Sequence, residues 1–152
     1  MKKISIILLF FLLYLNAYPE TRKPIEIVAD SMEWNKQLGQ AIATGNAKAI
    51  QGQTTIKANK IIAILSEDNS QQIKELRASG NVVFLKGQQL ATGDKATYYL
   101  SQDKVIITGS VELKRDGNII KGEKLIIDFL TGLSKMESSK TNQKVKMKYI
   151  TE

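Results

Sequence analysis

Four residues of related chemistry recur at matched places along this 152-residue chain: Asp30, Asn59, Asp94 and Glu123, at intervals of 29, 35 and 29 positions. Each follows a small residue and precedes a polar one and an apolar stretch, as Ala29-Asp30-Ser31-Met32, Ala58-Asn59-Lys60-Ile61, Gly93-Asp94-Lys95-Ala96 and Gly122-Glu123-Lys124-Leu125. Carboxylates in series suggest a general acid and base pair or a ladder of calcium ligands. A neutral Asn59 taking its turn in the series favours a shared structural role over either. The chain has no histidine and no cysteine. That removes the commonest general base, the thiol nucleophile, the usual zinc site and any disulfide. The glycines at Gly80 and Gly87, or Gly117 and Gly122, lack the Gly-Lys-Ser ending of a phosphate loop. No catalytic, metal or cofactor site is expected from these residues.

A second phrase alternates with the first: Ala43-Thr44-Gly45-Asn46-Ala47, Ala78-Ser79-Gly80-Asn81-Val82 and Ile107-Thr108-Gly109-Ser110-Val111. Self-similarity at such intervals marks a repeat architecture. Turn signals fall at Asn35 to Gly39, Gly45-Asn46, Gln51-Gly52, Ser66 to Ser70, Gly80-Asn81, Lys86-Gly87, Ser101 to Lys104, Arg115 to Asn118 and Thr131-Gly132. Between them lie runs rich in Ile, Val, Thr and Tyr, and neither proline lies beyond residue 24. This predicts short, evenly spaced strands in an all-β sandwich, barrel or solenoid, with almost no helix.

Alternation at period two then assigns faces. Met32 and Trp34, Ile61, Ala63 and Leu65, Ala96, Tyr98 and Leu100, and Leu125, Ile127 and Phe129 share one face; Ala47 and Ala49, Val82 and Phe84, and Val111 and Leu113 share another run of it. Ile27, Ile56 and Ile120 lie an odd number of positions from Met32, Ile61 and Leu125. The inward parity therefore flips between them, at Ala29-Asp30, Ala58-Asn59, Gly93-Asp94 and Gly122-Glu123. A bulge or corner is expected there, with Ala or Gly allowing a tight fold and the acid or amide bonding backbone N–H groups left unpaired. Repeated in each layer, the corner creases the sheet into an open V. The tail alternates as Lys144-Val145-Lys146-Met147-Lys148-Tyr149, an edge strand whose lysines oppose sheet-to-sheet pairing or meet an anion.

The ends and the charge bound the setting. Lys2 and Lys3 precede an apolar run from Ile4 to Leu15, too short for the roughly 20 residues of a spanning helix. It reads as a signal peptide over 1–17 cleaved after Ala17, with an uncleaved membrane anchor as the rival because Leu15 is bulky for the cleavage pattern. Residues 18–23 form a lead-in and 24–150 one domain. Formal charge is +7, which suits anionic partners or an ordinary basic surface. Nucleic acid fits poorly, since the aromatics lie on the inner face and give bases nothing to stack on.

The stretch from Pro24 to Leu65, with its Pro-Ile-Glu-Ile, Ala-Asp, Ala-Thr-Gly-Asn and Ile-Lys-Ala-Asn-Lys phrases, resembles the OstA-like domain of the LptA family of periplasmic lipopolysaccharide transport proteins. The resemblance continues through Ile107 to Val111 and Ile119 to Lys124 into the Lys144 to Tyr149 strand. It implies a creased antiparallel β-jellyroll, open at both ends, that shields lipid A acyl chains. It also implies end-to-end self-association bridging an inner-membrane LptC-like subunit at the N-terminal edge and an outer-membrane LptD-like translocon at the C-terminal edge. Carried onto this chain, it makes Ile25, Ile27, Met32, Trp34, Ile61, Leu65, Phe84, Tyr98, Leu100, Leu125, Ile127 and Phe129 the candidate groove lining. Each has a plain alternative as sealed core. Two other readings stand beside it: an anchored LptC-like subunit, and a structural β-solenoid polymer with a closed interior.

Overall fold

The computed structural model describes residues 23–68, 72–139 and 143–150. The leader read at 1–17, and all but the last residue of the lead-in, lie outside the described residues. Within them the chain forms strands β1 (Glu26–Val28), β2 (Ser31–Asn35), β3 (Gln40–Gln51), β4 (Thr54–Leu65), β5 (Ile73–Lys86), β6 (Gln89–Tyr99), β7 (Lys104–Arg115), β8 (Asn118–Asp128), β9 (Leu133–Glu137) and β10 (Lys146–Lys148), and no helix. All pair antiparallel in the order β1-β3-β4-β5-β6-β7-β8-β10, with β2 also on β3 and β9 also on β8.

The six central strands run 11 to 14 residues each, longer than the turn signals predict. Gly45-Asn46 and Gly80-Asn81 do not separate strands; they lie inside β3 and β5, and Gly109-Ser110 lies inside β7. The register shifts there on both sides of each strand, between Thr44 and Ala47, Ser79 and Val82, and Thr108 and Val111. In each case the glycine and its successor stand opposite the single residue Asn59, Asp94 or Glu123. Gly45, Gly80 and Gly109 have φ of 80°, 79° and 87°, and Asn46, Asn81 and Ser110 have φ of 46°, 50° and 46°. Positive φ at consecutive residues, led by glycine, is the geometry of a bulge that bends its strand while the ladder continues on either side.

The two phrases therefore meet in space. A Cβ on Gly45 would lie 2.5 Å from Oδ2 of Asp30, and one on Gly80 would lie 2.6 Å from the Asn59 amide. Asn46 Nδ2 donates to Asp30 Oδ2 at 2.8 Å, and the Ser110 backbone N–H donates to Glu123 Oε2 at 3.3 Å. The glycine phrase supplies the extra residue, and the acid or amide of the neighbouring strand folds over it. Where the acid phrase begins with glycine the reason is close approach: a Cβ on Gly93 would lie 2.6 Å from Ile107 Cγ2, and one on Gly122 would lie 2.6 Å from Met136 Cγ. Ala29 and Ala58 hold the equivalent places in the first repeats.

These bulges divide the sheet along one line into two half-sheets. β2, β9 and the flanks of β3 to β8 that pair with them form the first. β1, β10 and the remaining flanks form the second. The same face of both is apolar, and the two faces pack on one another. Phe84 of the second half-sheet lies 5.9 Å, ring centroid to centroid, from Tyr98 of the first.

Candidate functional site

The apolar interior between the half-sheets is built rung by rung. Directly opposed residues in a ladder share a face, so one rung of the first half-sheet runs Met32, Ala43, Ile61, Ala78, Ala96, Ile107, Leu125, Met136. The next runs Trp34, Ala41, Ala63, Leu76, Tyr98, Val105, Ile127, Ser134. On the second half-sheet the matching rung is Ile27, Ala49, Ile56, Phe84, Ala91, Leu113, Ile120, Met147.

The candidate lining residues thus come together on one surface, but in different states. Ile61, Phe84, Tyr98, Leu125 and Ile127 are buried. Ile27, Leu100 and Phe129 are partly buried and pack against them. Ile25, just ahead of β1, and Leu65, at the end of β4, are half-buried. Met32 and Trp34 occupy inward positions yet are 55% and 60% exposed. They lie on β2, at the N-terminal end of the stack, where no further strand among the described residues covers them. Beneath them β3 turns only small side chains inward, Ala41, Ala43, Ala47 and Ala49. At the opposite end Met147 of β10 is 59% exposed in the same way. The interior is sealed along its middle and open at both ends.

The long side, where the tips of the half-sheets meet, is closed by a cluster in which Lys86 and Asp103, which alternation did not single out, join Phe84, Tyr98 and Phe129. The Phe84 and Phe129 rings stack with centroids 5.9 Å apart. Lys86 Nζ lies 4.1 Å from the centroid of Phe129, an amino–aromatic contact, and donates to Asp103 Oδ1 at 2.5 Å. The Tyr98 hydroxyl donates to the same carboxylate oxygen at 2.7 Å. Burial, and then the bond to Asp103, push the Tyr98 phenol well above its ordinary range, so it stays a proton donor. Lys86 and Asp103 read in sequence as turn residues. The signal that finds Lys86 is its place two residues past Phe84, on the inward parity; nothing in the sequence places Asp103 beside it.

Among the described residues no cluster of acidic side chains could hold a metal ion. The acids Asp30, Asp94 and Glu123 are spread along the crease, Asp30 beside the β3 bulge and Asp94 and Glu123 on either side of the β7 bulge.

Residues 26–133 match the family described as LptA/(LptD N-terminal domain) LPS transport protein. The chain belongs to this family. Among its relatives, the lipopolysaccharide export system protein LptH of Pseudomonas aeruginosa is 27% identical over 120 residues, covering 74% of this chain and 67% of LptH. The crystal structure of LptH, described as the LptA homologous periplasmic component of the conserved lipopolysaccharide transport device, superposes with a TM-score of 0.77 at 20% identity, covering 88% of this chain and 100% of LptH. The fold is the antiparallel β-jellyroll of LptA and LptH, as the family resemblance implies. Membership in a transport family makes the chain a transport component, not an enzyme.

Proposed function

We propose that the chain carries lipopolysaccharide across the periplasm by holding lipid A acyl chains between its half-sheets. The observation that carries this reading is the inward face at β2. Met32 and Trp34 continue the rungs of Ile61 and Tyr98 but stand open, so the apolar interior is presented for continuation and not capped. A twelve-carbon acyl chain costs about 10 kcal/mol to expose to water, and an apolar passage of this kind removes that cost. Ile25, Ile27, Met32 and Trp34 form the N-terminal mouth. Ile61, Leu65, Phe84, Tyr98, Leu100, Leu125, Ile127 and Phe129 are reached as the half-sheets part.

The outer edges of β1–β2 and β9–β10, unpaired among the described residues, suit strand addition, which turns an aggregation hazard into a means of assembly. On this reading copies stack end to end, with an LptC-like inner-membrane subunit at the β1–β2 edge and an LptD-like outer-membrane translocon at the β9–β10 edge. Residues 1–17 serve as the cleaved export leader, 18–23 as a lead-in and 24–150 as the carrier domain. N-terminal sequencing of the exported protein tests the leader, and recovery of Met1 would point to the anchored subunit instead.

The test of the groove is photo-crosslinking in living cells from position 34, with position 33 as control, since Glu33 points to the opposite face. Lipopolysaccharide captured from 34 and not from 33 is the expected result. A specific observation favours a second reading: Ile61, Phe84 and Leu125 are fully buried, as in a structural polymer with a closed core. Blank lanes from 32, 34 and 98 alike would decide for that polymer.

A further inference from the structure

The remaining ion pairs of the described residues each stay within one half-sheet, as Lys74–Glu67, Lys104–Asp128 and Lys121–Glu112 do. Lys86–Asp103 does not. Lys86 ends β5 at the tip of the second half-sheet, and Asp103 lies in the β6–β7 turn at the tip of the first. Their bond ties rim to rim across the Phe84–Phe129 stack, and both side chains are largely shielded, 24% and 30% exposed.

We propose that Lys86–Asp103 is a charge clasp holding the long side of the groove shut, and that the anionic headgroup of the lipid releases it by taking the place of Asp103 on Lys86. This rests on the reading of the interior as a lipid groove. An acyl chain can reach the buried middle from the side only if Phe84 and Phe129 separate, and that separation carries Asp103 away from Lys86. A shielded ammonium left without a counter-charge is strongly disfavoured. A neutral greasy molecule leaves it so, whereas a phosphate-bearing lipid supplies the missing charge as its chains enter. The ligand opens the groove only by its better fit to the open form, and here the difference lies in the headgroup.

The experiment measures binding of lipid A in detergent micelles to the purified chain, using the bisphosphorylated form and the same molecule stripped of phosphate. A hydrogen-bonded charge of this kind corresponds to about tenfold in affinity. The phosphorylated form should therefore bind the unaltered chain about tenfold better, and Lys86→Gln should bring the two forms within about twofold. Asp103→Asn should tighten both and keep the preference; asparagine tolerates the positive φ of 43° at this position. Equal binding of the two forms by the unaltered chain, or a preference that survives Lys86→Gln, overturns the clasp. Should either substitution perturb the circular-dichroism spectrum, the double variant Lys86→Cys and Asp103→Cys joined by a bis-maleimide decides, because the chain has no cysteine of its own. The tethered protein should lose binding of both forms, and undiminished binding refutes the proposal. Failure of the unaltered chain to bind either form is a different result, one that removes the groove reading itself.

Discussion

Gly109→Ala tests the physical basis of the crease. Gly109 has φ of 87°, and a Cβ there would lie 2.7 Å from Cβ of Asp94 on the adjoining strand. Holding alanine in the left-handed region costs roughly 1–2 kcal/mol, and forcing a methyl into occupied space adds about 1–3 kcal/mol. The sum, ~2–5 kcal/mol, is a large part of the 5–15 kcal/mol typical of a domain. Gly132→Ala is the matched control, with φ of 74° and nothing within 4 Å of the added Cβ, so it should lose only the first ~1–2 kcal/mol. Urea unfolding followed by far-UV circular dichroism reads both as shifts in midpoint at constant slope. Asp94→Gly removes the obstructing Cβ, so a double-mutant cycle with Gly109→Ala should return a favourable coupling of about 1–3 kcal/mol. The reasoning fails if Gly109→Ala costs no more than Gly132→Ala, or if the cycle shows no coupling.

Phe84→Ala removes a fully buried ring stacked on Phe129 and packed against Tyr98, and should cost about 3–5 kcal/mol in the same urea assay. Trp34→Ser and Met32→Ser change exposed inward residues and should leave stability within about 0.5 kcal/mol, while lowering lipopolysaccharide capture by the purified chain. Tyr98 is expected to govern part of the alkaline limb of stability. Its folded-state pKa is raised above the ordinary tyrosine value of about 10, so its contribution is complete below pH ~10 and falls as pH rises through the folded value. Urea midpoints compared at neutral pH and above pH ~10 should decline less steeply for Tyr98→Phe than for the unaltered chain.

Much of the interior was legible in the chain because strand side chains alternate and the repeats restate one pattern. Ile61, Tyr98, Leu125 and Ile127 share a face by parity alone, and the odd spacing of Ile27, Ile56 and Ile120 from their partners marks the crease. The glycine phrase was harder to read. Gly-Asn signals a turn between strands and a bulge within one equally well, since both need positive φ, and only the pairing of β3 with β4 on both sides of Gly45-Asn46 distinguishes them. Exposure was not legible at all. Met32 carries the same pattern as Ile61, and its openness comes from being on the outermost strand of the described residues.

Composition and period therefore determined an all-β, cysteine-free chain with a continuous apolar face and a recurring crease, since these depend on residue type and local spacing. Tertiary structure decided which stretches of that face are sealed and which stay open, and it brought Lys86 of one rim against Asp103 of the other. Those two residues are 17 positions apart, in turns of unremarkable composition. Their meeting depends on the angle at which the creased sheet folds over its own core, and that angle is a sum over every bulge in the ladder.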